Sequence, residues 1–296
     1  MKLTPIPSNA SSVNAIFPES LARLALGCTI YDTSSSPEAR VYCVDTDDRR
    51  LFIKTSTKGS LSTEAVMTRF FHHRKLAAEV LLYETLPTPD HLSNGGISQR
   101  DWLITGEVFG KDCTDESYLS DPKHLCEKMA AILHMLQEQP IHDFLIPRRT
   151  DSYIANAWST CSRILSNATG QDNPTSNPSL TKDIDVRYYT DRFGTASVID
   201  IARVFQEYSH LLASDTLIHG DYCLPNIILD SWKFSGFVDL DCAGIADPHI
   251  DVFWALWTLQ YNLGTHDYDD RFLDAYGREH INEDALRAVA AAEVFG

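Results

Sequence analysis

Asp221, Asn226 and Asp239 are oxygen-bearing side chains set among apolar residues, in LeuIleHisGlyAspTyrCysLeuProAsnIleIleLeuAsp (217–230) and PheSerGlyPheValAspLeuAsp (234–241). Asp221 stands five positions before Asn226. An apolar run, the turn Asp230-Ser231-Trp232-Lys233 and a second apolar run predict a hairpin whose far end returns beside its start, bringing Asp239 near Asn226. Such a set suits phosphoryl transfer. Asn226 and Asp239 would offer hard oxygen ligands to a Mg²⁺ ion bridging nucleotide phosphates. Asp221, one loop away, would orient an acceptor hydroxyl and accept its proton. A lone Asp would only satisfy a turn, but the ordered set His219, Gly220, Asp221, Asn226 and Asp239 with apolar flanks asks for more. His219 is expected to pack beneath the loop, and with Cys223 it lacks further ligands at zinc spacing.

The elements around this segment change character along the chain. Before about residue 105 the sequence predicts short strands with one helix. Residues 40–44 and 51–54 are strand-like and joined by the polar turn 45–50, and 101–108 form another strand with Gly106 and Gly110 at a bend. Residues 62–72 carry Ala65, Val66 and Phe70 at helical spacing, with Ser62 or Thr63 available as a cap. From Asp121 the pattern turns helical: a capping Asp precedes Pro122, and Leu125, Met129, Ile132 and Leu136 form one stripe. Further helices are predicted at 199–212, 250–262 and 283–295, and a polar surface loop at 166–181.

The interval from Asp221 to Asn226 matches the protein-kinase catalytic loop, and HisGlyAsp-x4-Asn followed by SerGlyPheValAspLeu resembles the signature of aminoglycoside 3'-phosphotransferases. Ala246, Asp247 and Asp251 continue it, LeuPheIleLysThr (51–55) is similar to the family's nucleotide-lysine strand, and 64–70 to the helix carrying its ion-pair glutamate. The resemblance implies an α+β, protein-kinase-like two-lobed fold, with a small β-rich nucleotide-binding lobe over 1–105, a hinge near 106–110 and a mainly helical acceptor-binding lobe over 106–296. It also implies roles. Lys54 would hold the α and β phosphates of ATP or GTP, and Glu64 would orient it. The turn containing Ser35 and Ser36 would cover the phosphates. The backbone of Glu107 and Val108 would pair with the nucleobase. Glu293 and the carboxylate of Gly296 would grip a cationic amino sugar.

Some positions depart from the family pattern. Tyr261 and Asn262 stand where an acidic pair is common, Asn156 where Glu is frequent, and Asp241 and Cys242 follow Asp239 in place of a glycine and an arginine. Each lost charge-assisted hydrogen bond would weaken polycation binding by ~1.5–3 kcal/mol. Two rivals therefore stay open: a kinase of another hydroxyl metabolite of choline, homoserine or ketosamine type, and a catalytically silent nucleotide-binding protein. The joint presence of Lys54, Glu64, Asp221, Asn226 and Asp239 speaks against silence.

Composition bounds the partners. A formal charge of -16 over 296 residues disfavours nucleic acid and anionic membranes, which need clustered Lys and Arg. The 7 irregularly spaced cysteines, with no CxxC pair, argue against a disulfide framework and point to a reducing cytoplasm. No apolar run is long enough for a membrane span, and no feature asks for an obligate protein partner.

Overall fold

The computed structural model describes residues 3–34, 39–90, 96–141, 146–168 and 184–296. In chain order the first elements are β1 (Thr4–Ile6), α1 (Ala10–Ile16), α2 (Glu19–Ala25), β2 (Thr29–Asp32), β3 (Arg40–Asp45), β4 (Arg50–Thr57) and α3 (Ser62–His73). β5 (Val80–Asp90), β6 (Gly96–Gly106) and β7 (Lys111–Asp112) follow. The chain then becomes helical through α4 (Glu116–Leu119), α5 (Pro122–Gln137), α6 (Thr150–Ala168), α7 (Arg187–Phe193) and α8 (Val198–Tyr208). After β8 (Thr216–Ile218) come the hairpin β9 (Ile227–Asp230) and β10 (Lys233–Phe237), then β11 (Gly244–Ala246). Three helices close the sequence: α9 (His249–Leu263), α10 (Asp269–Tyr276) and α11 (Glu283–Phe295).

Two compact units result, Met1–Asp115 with Pro225–Cys242, and Glu116–Leu224 with Ala243–Gly296. This grouping differs from a single cut at 105/106. β7 pairs with β9, so the later hairpin joins the first unit through a three-stranded sheet ordered β10-β9-β7.

In the first unit six antiparallel strands are ordered β1-β2-β3-β4-β6-β5. The hairpin expected between 40–44 and 51–54 forms, with Val41 opposite Lys54 and Val44 opposite Leu51. Burial alternates along β4: Leu51, Ile53 and Thr55 face a core, while Phe52 and Lys54 turn to the other side. That core receives Val13 from α1, Phe17 just past its end, and Leu21 and Ala25 from α2, packed on Ile30, Val44, Trp102 and Ile104. Neither helix was expected from the sequence. Each is only 7 residues long, too short to hold without the sheet it covers. Trp102 is fully buried and donates through Nε1 to Thr88 Oγ1 at 3.0 Å, so burial leaves its polar atom satisfied.

In the second unit the cap at Asp121 forms as expected, accepting from His124 N at 3.2 Å, and Leu125, Met129, Ile132 and Leu136 are all buried. The helices predicted at 199–212, 250–262 and 283–295 appear as α8, α9 and α11. The first of these ends at Tyr208 and passes into a 3₁₀ turn over Ser209–Leu211. Most of the loop expected at 166–181 lies outside the described residues.

Candidate active site

The first unit brings Lys54, Glu64 and Asp239 together. β4 aims the Lys54 side chain away from the core, and α3 begins beyond a short turn, so Glu64 falls in its first helical turn. Lys54 Nζ lies 2.8 Å from Glu64 Oε2 and 2.7 Å from Asp239 Oδ1. Burial opposes charge on Lys54, but the two carboxylates outweigh it and hold the ammonium pKa above its ordinary value. Burial also raises Glu64, and the Lys54 charge opposes it; at 2.8 Å the contact is an ion pair.

What positions Glu64 was not legible as a cap motif. Neither Ser62 nor Thr63 caps α3; the N-cap is Leu61, which has no capping side chain, and Ser62 Oγ instead donates to Gly59 O at 2.8 Å. The acceptor that holds the turn before α3 comes from β6. Asp101 Oδ2 accepts from Gly59 N at 2.8 Å, from Leu61 N at 3.2 Å and from Tyr83 Oη at 3.0 Å, while Oδ1 accepts from Thr85 Oγ1 at 2.8 Å. Asp101 is 0% exposed, and its charge sits where the helix N-terminus favours an anion. It therefore fixes the start of the helix that carries Glu64.

The later hairpin delivers Asp239. Ser231 and Trp232, its two turn residues, have φ of 51° and 68°, as in the primed turns whose twist matches that of the paired strands. Val238 N donates to Asn226 O at 3.1 Å, which closes the hairpin where the spacing predicted and puts residue 239 beside Asn226 along the backbone. Asp239 itself has φ of 59°, a left-handed conformation that costs a non-glycine residue energy and clusters at functional sites. Asn226 is buried, whereas half of the Asp239 side chain remains open. Their carbonyl and carboxylate oxygens form a hard donor set of the kind Mg²⁺ prefers. Gly110, at φ of 128°, runs so close to β9 that a Cβ would meet Leu229 O at 2.3 Å, so only glycine fits there.

Of the remaining nucleotide candidates, Glu107 and Val108 lie just past the last β4–β6 ladder pair, Leu51–Gly106. The Glu107 carboxylate is engaged by Arg50 Nη1 at 3.1 Å. Ser35 and Ser36 lie outside the described residues. Just before them, Ser34 Oγ accepts from Val41 N at 2.9 Å.

In the second unit the loop after β8 is pinned on several sides. Asp251, fully buried in α9, accepts from His219 N at 2.7 Å and Gly220 N at 2.8 Å. Two turns on, Thr258 Oγ1 accepts from Leu224 N at 3.1 Å, and Tyr222 Oη donates to Met129 O of α5 at 2.8 Å. Asp221 is thus carried on a loop tied down before and after it, and it stays partly exposed. His219 is fully buried, and its Nδ1 accepts from Asp221 N at 3.3 Å. Burial pushes Asp251 up to about 7, with the two backbone N–H groups opposing it and the Asp221 charge adding to it.

Glu293 of α11 accepts from Tyr153 Oη of α6 at 2.8 Å and from the Trp254 side chain. Its surroundings push it up to about 7 by desolvation, and the Asp221 charge adds to the shift. A buried relay fixes where α11 begins. His249 donates through Nδ1 to Asp247 Oδ1 at 2.7 Å and accepts through Nε2 from Asn282 N at 2.9 Å. Asn282 then caps α11 by accepting from Asp284 N and Ala285 N. Gly296 is exposed, one residue past α11. Sequence reasoning missed Asp101, Tyr153 and Trp254 as supports. Asp101 follows the polar stretch Ser98-Gln99-Arg100 and carries no signal of its own, whereas Asp251 stands out between Ile250 and Val252.

An α+β chain with a strand lysine paired to a helix glutamate, followed by a His-Gly-Asp loop and a hairpin that returns Asp239, is a phosphotransferase of protein-kinase-like fold. The chain belongs to the phosphotransferase enzyme family, whose model matches residues 34–291. It is 38% identical over 280 residues to the "Probable aminoglycoside 3'-phosphotransferase" of Lactococcus lactis subsp. lactis (strain IL1403), covering 95% of each chain. It is 45% identical over 202 residues to an aminoglycoside 3'-phosphotransferase of Niallia circulans, covering 68% of this chain and 70% of that one. Among solved structures the fold matches an aminoglycoside-3'-phosphotransferase of type VIII with a TM-score of 0.66, at 19% identity and over 94% and 97% of the two chains. It also matches the aminoglycoside phosphotransferase APH(3'')-Id from Streptomyces rimosus ATCC10970, solved with ADP and streptomycin, with a TM-score of 0.62 at 17% identity over 86% and 90%. No helix among the described residues is long and apolar enough to cross a membrane.

Proposed function

We propose that this protein transfers the γ-phosphate of a nucleoside triphosphate to a hydroxyl of an aminoglycoside, at the 3' position. The observation that carries the proposal is the Lys54 ammonium held between Glu64 at 2.8 Å and Asp239 at 2.7 Å. This is a cation kept charged where developing phosphate charge must be neutralised. In this scheme Lys54 binds the α and β phosphates and Glu64 orients it, with the backbone of Glu107 and Val108 pairing with the base. Asn226 and Asp239 hold Mg²⁺, which when bound screens the phosphate charge. Asp221 accepts the proton of the acceptor hydroxyl as its oxygen attacks the γ-phosphorus; the bond to the bridging oxygen breaks, and the nucleoside diphosphate leaves. Glu293 holds an ammonium group of the acceptor. Relatives named for aminoglycoside 3'-phosphorylation support this acceptor class. The reading also implies resistance to the antibiotic that is modified.

The test is coupled nucleoside-diphosphate release with kanamycin A, using ATP or GTP and with or without EDTA, followed by NMR assignment of the phosphorylated hydroxyl. Asp221→Asn is expected to lower kcat by about 10²–10⁴-fold while nucleotide still binds. Turnover with choline-type alcohols but not with kanamycin A would replace the proposed acceptor. Near-normal turnover by Asp221→Asn would remove its role.

A further inference from the structure

The backbone ties that pin the loop after β8 fix where Asp221 sits, but they do not fix which way its carboxylate faces. A proton acceptor must also keep its side chain within hydrogen-bond reach of the reacting hydroxyl. The next residue but one engages that side chain. Cys223 N donates to Asp221 O at 2.8 Å, which folds the chain back on itself, and the Cys223 thiol hydrogen-bonds the Asp221 carboxylate. An ionised carboxylate only accepts, so the thiol is the donor.

Thr258 of α9 sets the direction of this bond. A hydroxyl has one proton and two lone pairs. Thr258 Oγ1 accepts from Leu224 N at 3.1 Å and from Asn262 Nδ2 at 3.2 Å. Asn262 turns its amide nitrogen this way because that nitrogen also donates to Thr258 O, at 2.8 Å, and a backbone carbonyl can only accept. Both lone pairs of the hydroxyl are thereby used, and its proton goes to its remaining partner, Cys223 Sγ. The sulfur, already an acceptor, has its own proton to give, and Asp221 receives it. Thr258 is 1% exposed and Cys223 7%, so water competes little for these groups. Burial first, and the Asp221 charge after it, push the thiol up and keep it protonated, as a donor must be. Packing alone does not ask for a thiol here. An apolar side chain would fill the space and leave the Thr258 proton without its acceptor.

We propose that Cys223 is a positioning residue for the catalytic base: its thiol, the last link of a chain of hydrogen bonds from Asn262 through Thr258, holds the Asp221 carboxylate in the orientation that takes the acceptor proton. This rests on the role proposed for Asp221 above.

Steady-state kinetics with kanamycin A and ATP on the wild type, Cys223→Ala, Cys223→Val and Cys223→Ser test it, with Tm recorded for each. Alanine is smaller than cysteine and valine larger, and neither donates, whereas serine restores a donor. Cys223→Ala and Cys223→Val are expected to lower kcat about tenfold, while the nucleotide Kd from calorimetry holds within about twofold. Cys223→Ser should keep kcat within about threefold of the wild type. In an Asp221→Asn background, Cys223→Ala should lower kcat no further, because the group it positions is gone. Infrared spectroscopy reads the bond without any acceptor: the S–H stretching band that Cys223→Ser removes should shift when Asp221→Ala takes the carboxylate away. An unchanged kcat in Cys223→Ala, a Cys223→Ser variant as slow as the alanine one, or a band indifferent to Asp221 would overturn the role of Cys223 and leave the proposed function standing. A wild type inert toward kanamycin A would overturn both.

Discussion

Glu64 and Glu293 are both carboxylates drawn out of water, and the two units treat them in opposite ways. Glu64, 6% exposed, has a permanent cation of its own at 2.8 Å. Glu293 has only a hydroxyl and an indole as donors, and among the described residues no Lys, Arg or His forms an ion pair with it. Burial pushes both carboxyls up to about 7, but only Glu64 has a cation that favours its charged form. The first arrangement is complete within the protein and suits a fixed piece of machinery. The second is left open, as a group awaiting a cationic ligand would be.

The largest expected effect lies on the complete side. Asp239→Ala removes one of the two carboxylates on Lys54 and the more open of the two oxygen donors proposed for Mg²⁺. Turnover is expected to fall at least about 10³-fold, as loss of a main electrostatic group does. Nucleotide affinity measured by calorimetry should stop depending on Mg²⁺. Full activity of this variant, or of the wild type in EDTA, would break the reading of this half.

A middle-sized effect should come from Asp101. Asp101→Asn turns an acceptor serving four donors into an amide that brings donors of its own. A loss of about 1–3 kcal/mol in stability is expected. If Asp101 acts through the placement of Glu64, the variant also raises the nucleotide KM several-fold, and this rise is not repeated in a Glu64→Gln background. Additive effects in the double variant would reduce Asp101 to a purely structural role.

The smallest effect is on the open side and reads out through pH. With the Glu293 pKa raised to about 7, the carboxyl takes up a proton as pH falls below 7 and loses its charge. The acceptor KM should therefore rise as pH drops from 8 to 6, by up to about tenfold per unit below the pKa. Glu293→Gln should start from a high KM and lose that slope. Asp251, also raised to about 7, is present in both proteins, so the difference between the two profiles belongs to Glu293. Identical profiles would mean that no cation is held there.

Legibility differed between the halves for a physical reason. The hairpin joining Asn226 to Asp239 was readable because apolar runs flanking a short polar turn encode strand pairing locally. The α5 cap was readable too, since Asp121 serves an N–H three residues away. By contrast, α1 and α2 carry no strong helical signal of their own and stand because Phe17 and Leu21 find Trp102 and Ile53 in the sheet core. The start of α3 misled the reading: Ser62 and Thr63 have the right types but lie inside the helix, and the turn before it is held by a carboxylate 40 residues away in sequence.

Residue types and local pattern alone set the reactive groups and their order: the lysine on a strand, the glutamate at a helix start, the Asp–Asn loop and the returning Asp. Those follow from side-chain chemistry and from the periodicities of strand, turn and helix, which act over a few residues. Tertiary structure decided what each group meets. Asp101 became the anchor of the turn before α3, Asp251 a clamp on the loop bearing Asp221, and Glu293 a carboxylate between a phenol and an indole. Burial and partner choice belong to the whole packed unit, because a side chain's desolvation depends on everything that closes over it, however far away in sequence.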